Sequence, residues 1–342
     1  MKIAVLAPIA WRTPPRKYGP WELVASNITE ELVKRGFDVT LFATGDSITG
    51  GKLSYTCSRG YEEDKNCDPK VAECLHISYL MERAGEFDII HNHFDFLPLT
   101  YSRLIKTSMV TTIHGFSSPK IVPVYQRYND INHYVSISYA NRCEHLSYIA
   151  NVYNGINPRD FTFRPAVGDY LLFFGRIHPD KGTREAIEIA LKAKMRLIIA
   201  GYIQDDDYYN REVHPFVDGR QVTYVGNADP VQRDKLLGEA YALLHPINFE
   251  EPFGLSVAES MFCGTPVIAF NKGSMEELIE HGRSGFLVHN VDEALSVLPR
   301  AGELDRNHCR QHALSRFSIE KTVDDYLEVY EKVLSLQRCH VP

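Results

Sequence analysis

This sequence of 342 residues has no CxxC motif. Its seven cysteines are irregularly spaced. The odd number and the spacing argue against both a zinc cluster and a disulfide framework, and they predict reduced thiols in a cytoplasmic protein. The residues concerned are Cys57, Cys67, Cys74, Cys143, Cys263, Cys309 and Cys339.

Long apolar runs and basic patches are also lacking. No run approaches the roughly 18–20 apolar residues of a membrane helix. The apolar start, Met1 to Trp11, has no basic leader or small-residue cleavage site, so it predicts a first strand rather than a signal peptide. With a net charge of −7 and scattered Lys and Arg, we expect neither a nucleic-acid partner nor a membrane surface. A small or neutral partner molecule fits this balance better.

What the sequence does contain is an alternation of strand and helix patterns. KIAVLAPIA is an apolar run typical of a buried parallel strand. A helix follows, with Val24, Ile28 and Leu32 on one face and Gly36 as its stop. FDVTLFAT, FDIIHNH, MVTTIHG, HYVSIS and NVYNGI are predicted strands, the last two joined by a helix through Arg142 and Leu146. Such a series predicts a parallel sheet with right-handed crossovers.

A second series begins near Asp169, after a proline-containing linker predicted over residues 157–168. YLLFFG, RLIIAGY, QVTYVG, YALLHP, TPVIAF and GFLVHN are predicted strands, and TREAIEIALKA, RDKLLGEA and GLSVAESMFC are predicted helices. A last helix over 319–336 carries the apolar stripe Val323, Leu327, Tyr330 and Leu334. The pattern predicts two α/β domains, 1–160 and 161–318, followed by the segment 319–342.

The first motif with chemistry is YLLFFGRIHPDKG, residues 170–182. A strand ends at Gly175, and Arg176 and Lys181 precede a helix that opens near Thr183. Backbone amides near a glycine, a helix N-terminus and two cations suit a pyrophosphate. The alternative is a surface turn with solvated Arg and Lys. Ligands of open α/β sheets bind outside the carboxyl ends of the strands, and two facing sheets would form a cleft.

The second motif is FEEPFGLSVAESMFCGTPVIA, residues 249–269. Glu251 precedes a helix, and its carboxylate can accept hydrogen bonds from sugar hydroxyls. The backbone N–H groups of Phe253, Gly254 and Leu255 lie at the predicted helix start. Glu259, eight residues after Glu251, can accept from a ribose diol. Taken alone, the two carboxylates equally fit a solvated helix.

Together these motifs resemble the retaining GT-B glycosyltransferases of family 4, the glycosyl transferases group 1. GRIHPDKG, the Glu251 and Glu259 spacing and GTPVIAF carry the resemblance, which covers nearly the whole chain. PPRKYGPWE is similar to the family's glycine-rich first loop, TIHG to its histidine-bearing strand end, and NVYNGIN to its interdomain segment. The resemblance implies two Rossmann-like domains that face each other across a cleft. It also implies that the last helix packs back on the first domain.

The resemblance further implies residue roles. Arg176 and Lys181 would neutralise the diphosphate of the donor. Glu251 and the backbone of Phe253 and Gly254 would hold the donor sugar, and Glu259 would hold the ribose. The remaining two roles concern the first domain, where His114 would lie near the anomeric centre or the 6-position of the sugar and Gly19 would let the first loop approach the phosphates.

Two departures from the family pattern concern the first loop and the interdomain segment. Pro20 stands where the family has a second glycine, so one backbone donor is missing and contacts of that loop are in doubt. Asn157 stands where the family often has Asp, and we expect little from this change.

The reaction implied is transfer of a hexosyl group from a nucleotide-diphosphate sugar, of the UDP-glucose or GDP-mannose class, to a soluble sugar or another small hydroxyl acceptor. No cofactor and no metal are expected. Four residues near first-domain strand ends are predicted on the acceptor side, where an aromatic face and polar groups suit a sugar: Trp11, Arg12, His93 and Asp95. The acidic run 205–207 is interpreted as a solvated loop rather than a metal site.

Three other functions fit parts of the sequence. A glycoside hydrolase could use Glu251 and Glu259 as its carboxylate pair, but it has no use for a phosphate cradle. A nucleotide-sugar epimerase would convert the donor without an acceptor. A catalytically silent nucleotide-sugar-binding protein would bind the donor and turn nothing over.

Overall fold

The computed structural model describes residues 1–116 and 118–339. The chain forms two compact units: Met1–Gly155 together with the segment from Ile319, and Ile156–Ser318. The boundary predicted between residues 160 and 161 therefore lies within the second unit. The predicted third segment, 319–342, belongs to the first unit, and its residues 340–342 lie outside the described part.

The strands divide between the two units in chain order. The first unit contains β1 (Lys2–Leu6), β2 (Asp38–Phe42), β3 (Lys52–Ser54), β4 (Ile89–Asn92), β5 (Ser108–Ile113), β6 (His133–Ser136) and β7 (Tyr148–Asn151). The second contains β8 (Tyr170–Phe174), β9 (Arg196–Ala200), β10 (Val222–Tyr224), β11 (Ala242–His245), β12 (Val267–Phe270) and β13 (Gly285–Val288).

The α-helices alternate with these strands. They are α1 (Pro20–Lys34), α2 (Pro69–Glu82), α3 (Val122–Arg127), α4 (Thr183–Ala193), α5 (Asp206–Tyr208), α6 (Pro230–Gly238), α7 (Leu255–Phe262), α8 (Met275–Leu278), α9 (Val291–Ala301), α10 (Arg306–Phe317) and α11 (Ile319–Cys339). Short 3₁₀ turns span Ala84–Glu86, Leu97–Tyr101, Pro119–Ile121, Pro158–Asp160, Pro179–Lys181 and His214–Phe216, and a π turn spans Tyr209–Val213.

The sheet of the first unit is parallel throughout, with strand order β3-β2-β1-β4-β5-β6-β7. Its inner strands β1, β2 and β4 are buried on both faces, as the continuous apolar runs of the sequence predict. Helix α1 turns Val24, Ile28 and Leu32 inward, as predicted, and Gly36 follows its last turn. Helix α11 packs against this sheet, where Tyr326 and Tyr330 are fully buried.

The second unit repeats the design with strand order β10-β9-β8-β11-β12-β13, again parallel. Helix α6 starts with a capping box, in which Asp229 and Gln232 exchange hydrogen bonds with each other's backbone amides, and Pro230 stands at its first position. Both units are thus Rossmann-like α/β domains, which confirms the predicted fold class.

Several local predictions were wrong. No helix forms through Arg142 and Leu146, because this stretch consists of turns that bring the chain from β6 to β7. The last strand of the first sheet is Tyr148–Asn151 rather than the apolar NVYNGI stretch. On α11 the buried face includes Val323 and Tyr330 as predicted, but Tyr326 and Val333 occupy the positions assigned to Leu327 and Leu334.

Two further properties concern the described residues only. No helix within 1–116 and 118–339 has the length and apolar character that a membrane crossing requires. Six cysteines are free thiols: Cys57, Cys67, Cys74, Cys143, Cys263 and Cys309. The side chain of Cys339 lies outside the described part.

Candidate functional site

In the second unit, β8 and β11 are neighbours in the sheet, although β9 and β10 lie between them in the sequence. The strand order reverses direction between them, so this pair is the topological switch point at which ligands of such sheets bind. The loop after β8 leads through a 3₁₀ turn, Pro179–Lys181, into α4, and the loop after β11 leads into α7. Both predicted motifs therefore contribute a loop to the same edge of the sheet.

The two loops touch at Gly182 and Pro246. Gly182 has a left-handed φ of 73°, and a Cβ at this position would lie 1.8 Å from the carbonyl oxygen of Pro246. Any other residue would therefore separate the loops. The amide of Asn248 donates to the carbonyl oxygen of Asp180 at 2.7 Å, which joins the loops a second time. The glycine of the DKG motif thus serves the approach of the second loop.

The charged pair at this edge is Lys181 and Glu251. The Lys181 ammonium donates to Glu251 Oε2 and lies 4.6 Å from the ring centre of Phe249. His245 Nε2, at the end of β11, is 3.5 Å from the same carboxylate oxygen. Glu251 is buried, and burial alone would raise its pKa, but the neighbouring Lys181 and His245 outweigh it and lower the pKa to about 2. Glu251 is therefore a carboxylate at every physiological pH.

Helix α7 begins beside this pair. Gly254 is its N-cap, which places the amides of Gly254 and Leu255 at the helix N-terminus as the sequence predicts. The Ser274 hydroxyl donates to the carbonyl oxygen of Phe253 at 2.7 Å, and the Ser274 amide donates to that of Glu251 at 3.0 Å. Hydrogen bonds from the loop after β12 thus hold the segment that contains Glu251. The sequence did not predict these hydrogen bonds.

Three further predicted donor residues, Arg176, Gly175 and Glu259, have partners of their own. Arg176 Nη1 donates to Gln204 Oε1. Gly175 continues β8 and donates to the carbonyl oxygen of Ala200 at 3.1 Å. Glu259 lies in α7, is 2% exposed, and receives a hydrogen bond from Arg233 Nη1 at 3.1 Å. Arg233 did not stand out in the sequence, because an arginine on a polar helix usually faces solvent.

In the first unit, His114 follows β5 and His93 follows β4. His93 Nδ1 and His114 Nε2 are 2.9 Å apart, and the His114 ring stacks on Trp21 with centroids 5.4 Å apart. Burial lowers the pKa of His114 to about 3, so the imidazole is neutral. It is available as a hydrogen-bonding group rather than as a cation.

His91 extends the same cluster toward α11. Its Nδ1 is 2.6 Å from the Tyr330 hydroxyl, and its Nε2 is 2.8 Å from Thr112 Oγ1. The Tyr326 hydroxyl lies 2.7 Å from the same Thr112 oxygen. His91, which points into this buried network, is therefore structural.

Asp95 has an unusual backbone at the end of β4. Its φ is 105°, a left-handed value that only a few per cent of non-glycine residues adopt. The Tyr125 hydroxyl donates to its carboxylate, and burial raises its pKa to about 6. Strained residues of this kind are concentrated at functional sites. That Asp95 lies on the acceptor side stays a prediction.

Trp11 and Arg12 lie beyond the end of β1, in the loop before α1. The Trp11 amide donates to Glu22 Oε1 at 3.2 Å, and Arg12 Nε donates to the carbonyl oxygen of Pro14 at 2.9 Å. Glu22 is 3% exposed, and burial raises its pKa to about 7. Sequence reasoning missed Glu22, because a glutamate in the first turn of a helix is usually a solvated one.

Gly19 and Pro20 join this loop to α1. Pro20 is the first residue of the helix, a position that needs no amide hydrogen bond, so the missing donor does not disturb the helix. Gly19 has a φ of 148°, and a Cβ there would lie 2.7 Å from Pro15 Cβ.

We expect Gly19→Ala to lower the free energy of unfolding by about 1–3 kcal/mol, since both the backbone and the rigid proline oppose the methyl group. The measurement is urea unfolding. Gly85→Ala is the matched control, because nothing lies within 4 Å of a Cβ at Gly85. Equal stability of the two variants would contradict the expectation.

The acidic run 205–207 contributes to a helix cap. Asp205, at the start of the acidic run, accepts from the Tyr208 amide at 2.8 Å and so caps a short helix. In residues 1–116 and 118–339, no three His, Cys, Asp or Glu side chains are grouped as metal ligands.

Comparison with known proteins agrees with the fold. Residues 160–308 match the family described as glycosyl transferases group 1. An uncharacterized glycosyltransferase of Methanocaldococcus jannaschii is 23% identical, and the alignment covers 98% of this chain and 99% of that protein. AviGT4, a glycosyltransferase involved in avilamycin A biosynthesis, is 22% identical with a TM-score of 0.73 and 98% coverage of both chains.

A second similar structure contains a nucleotide sugar. HepE of Anabaena, in complex with UDP-glucose, is 19% identical to this chain with a TM-score of 0.73, and the match covers 97% of this chain and 100% of HepE. The fold is therefore that of the GT-B glycosyltransferases. The family match over residues 160–308 and the names of the relatives support glycosyltransferase activity.

Proposed function

We propose that the chain is a retaining hexosyltransferase of family 4 that transfers a sugar from a UDP-hexose, of the UDP-glucose class, to a sugar or another small hydroxyl acceptor. The observation that carries the proposal is the buried pair Lys181 and Glu251 at the switch point of the second sheet. The spacing of Glu251 and Glu259 supports the family, and the retained stereochemistry is inferred from the family resemblance alone. The UDP-glucose complex of HepE supports the choice of base and sugar.

Each residue of the pair has a separate role in this proposal. Lys181 neutralises the charge that develops on the departing diphosphate, and the N-terminus of α7 adds partial positive charge at the same edge. Glu251 stays ionised and accepts hydrogen bonds from hydroxyls of the donor sugar. Arg176, held by Gln204, is the second cation for the diphosphate. The chemistry needs no metal in this scheme, because protein cations take its place.

The acceptor binds at the strand ends of the first unit. His114, stacked on Trp21, and Asp95, bound by Tyr125, supply hydrogen-bonding groups, and the half-buried Trp21 supplies an aromatic face that suits a sugar.

Nucleotide binding is the first test. A ligand present at 100 times its dissociation constant stabilises the folded state by about 2.7 kcal/mol. We expect UDP and UDP-glucose to raise the melting temperature of the wild type by several degrees and to have much less effect on Lys181→Ala. GDP and ADP serve as base controls. A shift by GDP alone would replace the UDP donor by a GDP-hexose, and no shift by any nucleotide would refute the donor site.

A further inference from the structure

Glu259 is a carboxylate in an unfavourable place. It lies inside α7 with 2% of its surface exposed, and burial raises its pKa. The nearby Asp160 raises the pKa further, and the attraction of Arg233 lowers it. A carboxyl group that is protonated or free to turn is a poor acceptor for a pair of ribose hydroxyls, so Glu259 needs a partner that keeps it charged and fixed.

Arg233 is held in place by its helix and by contacts of its guanidinium group. It belongs to α6, its guanidinium lies 5.0 Å from the ring centre of Phe161, and its Nη1 donates to Glu259 Oε1 at 3.1 Å. Its side chain is 13% exposed, and that of Glu259 is 3% exposed, so water screens the pair little. Phe161 in turn packs on Phe262 at the end of α7, with centroids 6.3 Å apart. The arginine therefore joins α6 to α7 at the position of the carboxylate.

We infer that Arg233 is a positioning residue that holds Glu259 to recognise the ribose of the donor. The inference rests on the proposed function, in which Glu259 binds that ribose. Because Arg233 occupies Oε1, the carboxylate plane is set and Oε2 is the oxygen that receives the ribose hydroxyl. Arg233 itself contacts the protein, and its effect on the nucleotide passes through Glu259.

The experiment compares UDP with 2′-deoxy-UDP and 3′-deoxy-UDP by calorimetric titration. A hydrogen bond to a charged group contributes about 1.5–3 kcal/mol, so the wild type should bind UDP roughly 10- to 100-fold more tightly than at least one deoxy analogue. In Arg233→Met, which keeps the apolar stem, this ratio should fall to less than about threefold. Glu259→Gln gives the reference for a site without the carboxylate, and Arg233→Lys should restore most of the ratio.

The matched control is Arg164→Met. Arg164 pairs with Asp234, the residue next to Arg233 on α6, at 3.0 Å and with intermediate exposure. This variant should destabilise the unit to a similar extent but keep the wild-type ratio. The positioning role would be overturned if Arg233→Met kept the wild-type ratio of UDP to deoxy-UDP affinity, or if this ratio fell equally in Arg233→Met and Arg164→Met. Either result would leave the proposed donor intact. If the wild type binds no UDP, the proposed donor fails as well, and the inference falls with it.

Discussion

Lys181→Ala is expected to lower the rate of sugar transfer about 10²- to 10³-fold, the effect of removing one donor to the charge of a transition state. The same change leaves Glu251 as a buried carboxylate whose nearest remaining partner is the His245 nitrogen at 3.5 Å. Breaking a buried ion pair by removing one member lowers the free energy of unfolding by about 3–5 kcal/mol. Activity and stability should therefore fall together.

A double variant separates the two effects. In Lys181→Met with Glu251→Gln the uncompensated charge is gone, so the free energy of unfolding should recover most of its loss. The rate of transfer should stay low, because the cation for the diphosphate is still absent. The measurements are urea unfolding and release of UDP from UDP-glucose in the presence of a sugar acceptor. Near-normal turnover in Lys181→Ala would rule out the catalytic role, and a double variant as active as the wild type would rule out both.

The second large effect concerns acid. Burial lowers the pKa of His76 to about 4 and those of His91 and His114 to about 3, and it places the pKa of His93 well below its usual range. Below pH 6.5 the unfolded chain binds protons at these four sites and the folded chain does not, so the free energy of unfolding falls as the pH falls.

Two carboxyl groups act in the opposite direction. Glu22 and Asp95, with pKa values raised to about 7 and about 6, take up protons in the folded state before the unfolded state does. Among these six groups, four imidazoles outweigh two carboxyls, so that these groups together take up about two protons on unfolding between pH 6.5 and 5. The free energy of unfolding should therefore fall by about 2.7 kcal/mol per pH unit in this window.

Urea midpoints between pH 7.5 and 5 measure this slope. His76→Gln tests the assignment, because glutamine keeps a donor for the Ala7 carbonyl oxygen, which lies 3.0 Å from His76 Nε2, but does not titrate. For this variant, the free energy of unfolding should change less steeply with pH, by the equivalent of about one proton taken up on unfolding. A wild type whose stability does not change between pH 6.5 and 5 would show that these histidines are accessible to protons in the folded state.

The sequence was sufficient for the fold because both sheets are parallel and buried on both faces. Continuous apolar strands and the helix of residues 183–193 can be read directly from such a pattern. It was insufficient where turns replace a helix, as around Arg142, because a stretch with little periodicity leaves the backbone to tertiary contacts. The same limit explains the shift of β7 toward Tyr148.

For the candidate site, the sequence could predict residues but not their partners. Lys181 and Glu251 come together because two loops end at the same switch point, and the motifs already indicated both residues. Arg233 and Gln204 lie in polar stretches without a motif, and their importance follows only from the side chains that they contact. Glu22 is similar, since a glutamate at a helix start gives no sign of burial in the sequence.

The division of the first unit between two distant stretches of chain has a consequence for synthesis on the ribosome. His91 and Thr112 obtain their hydroxyl partners from Tyr330 and Tyr326, which emerge after the whole of the second unit. During translation the sheet of the first unit therefore lacks these two hydroxyl partners until α11 has been synthesised. Residues 156–318 can complete their own core before that. The part of the protein that is made first is the part that finishes folding last.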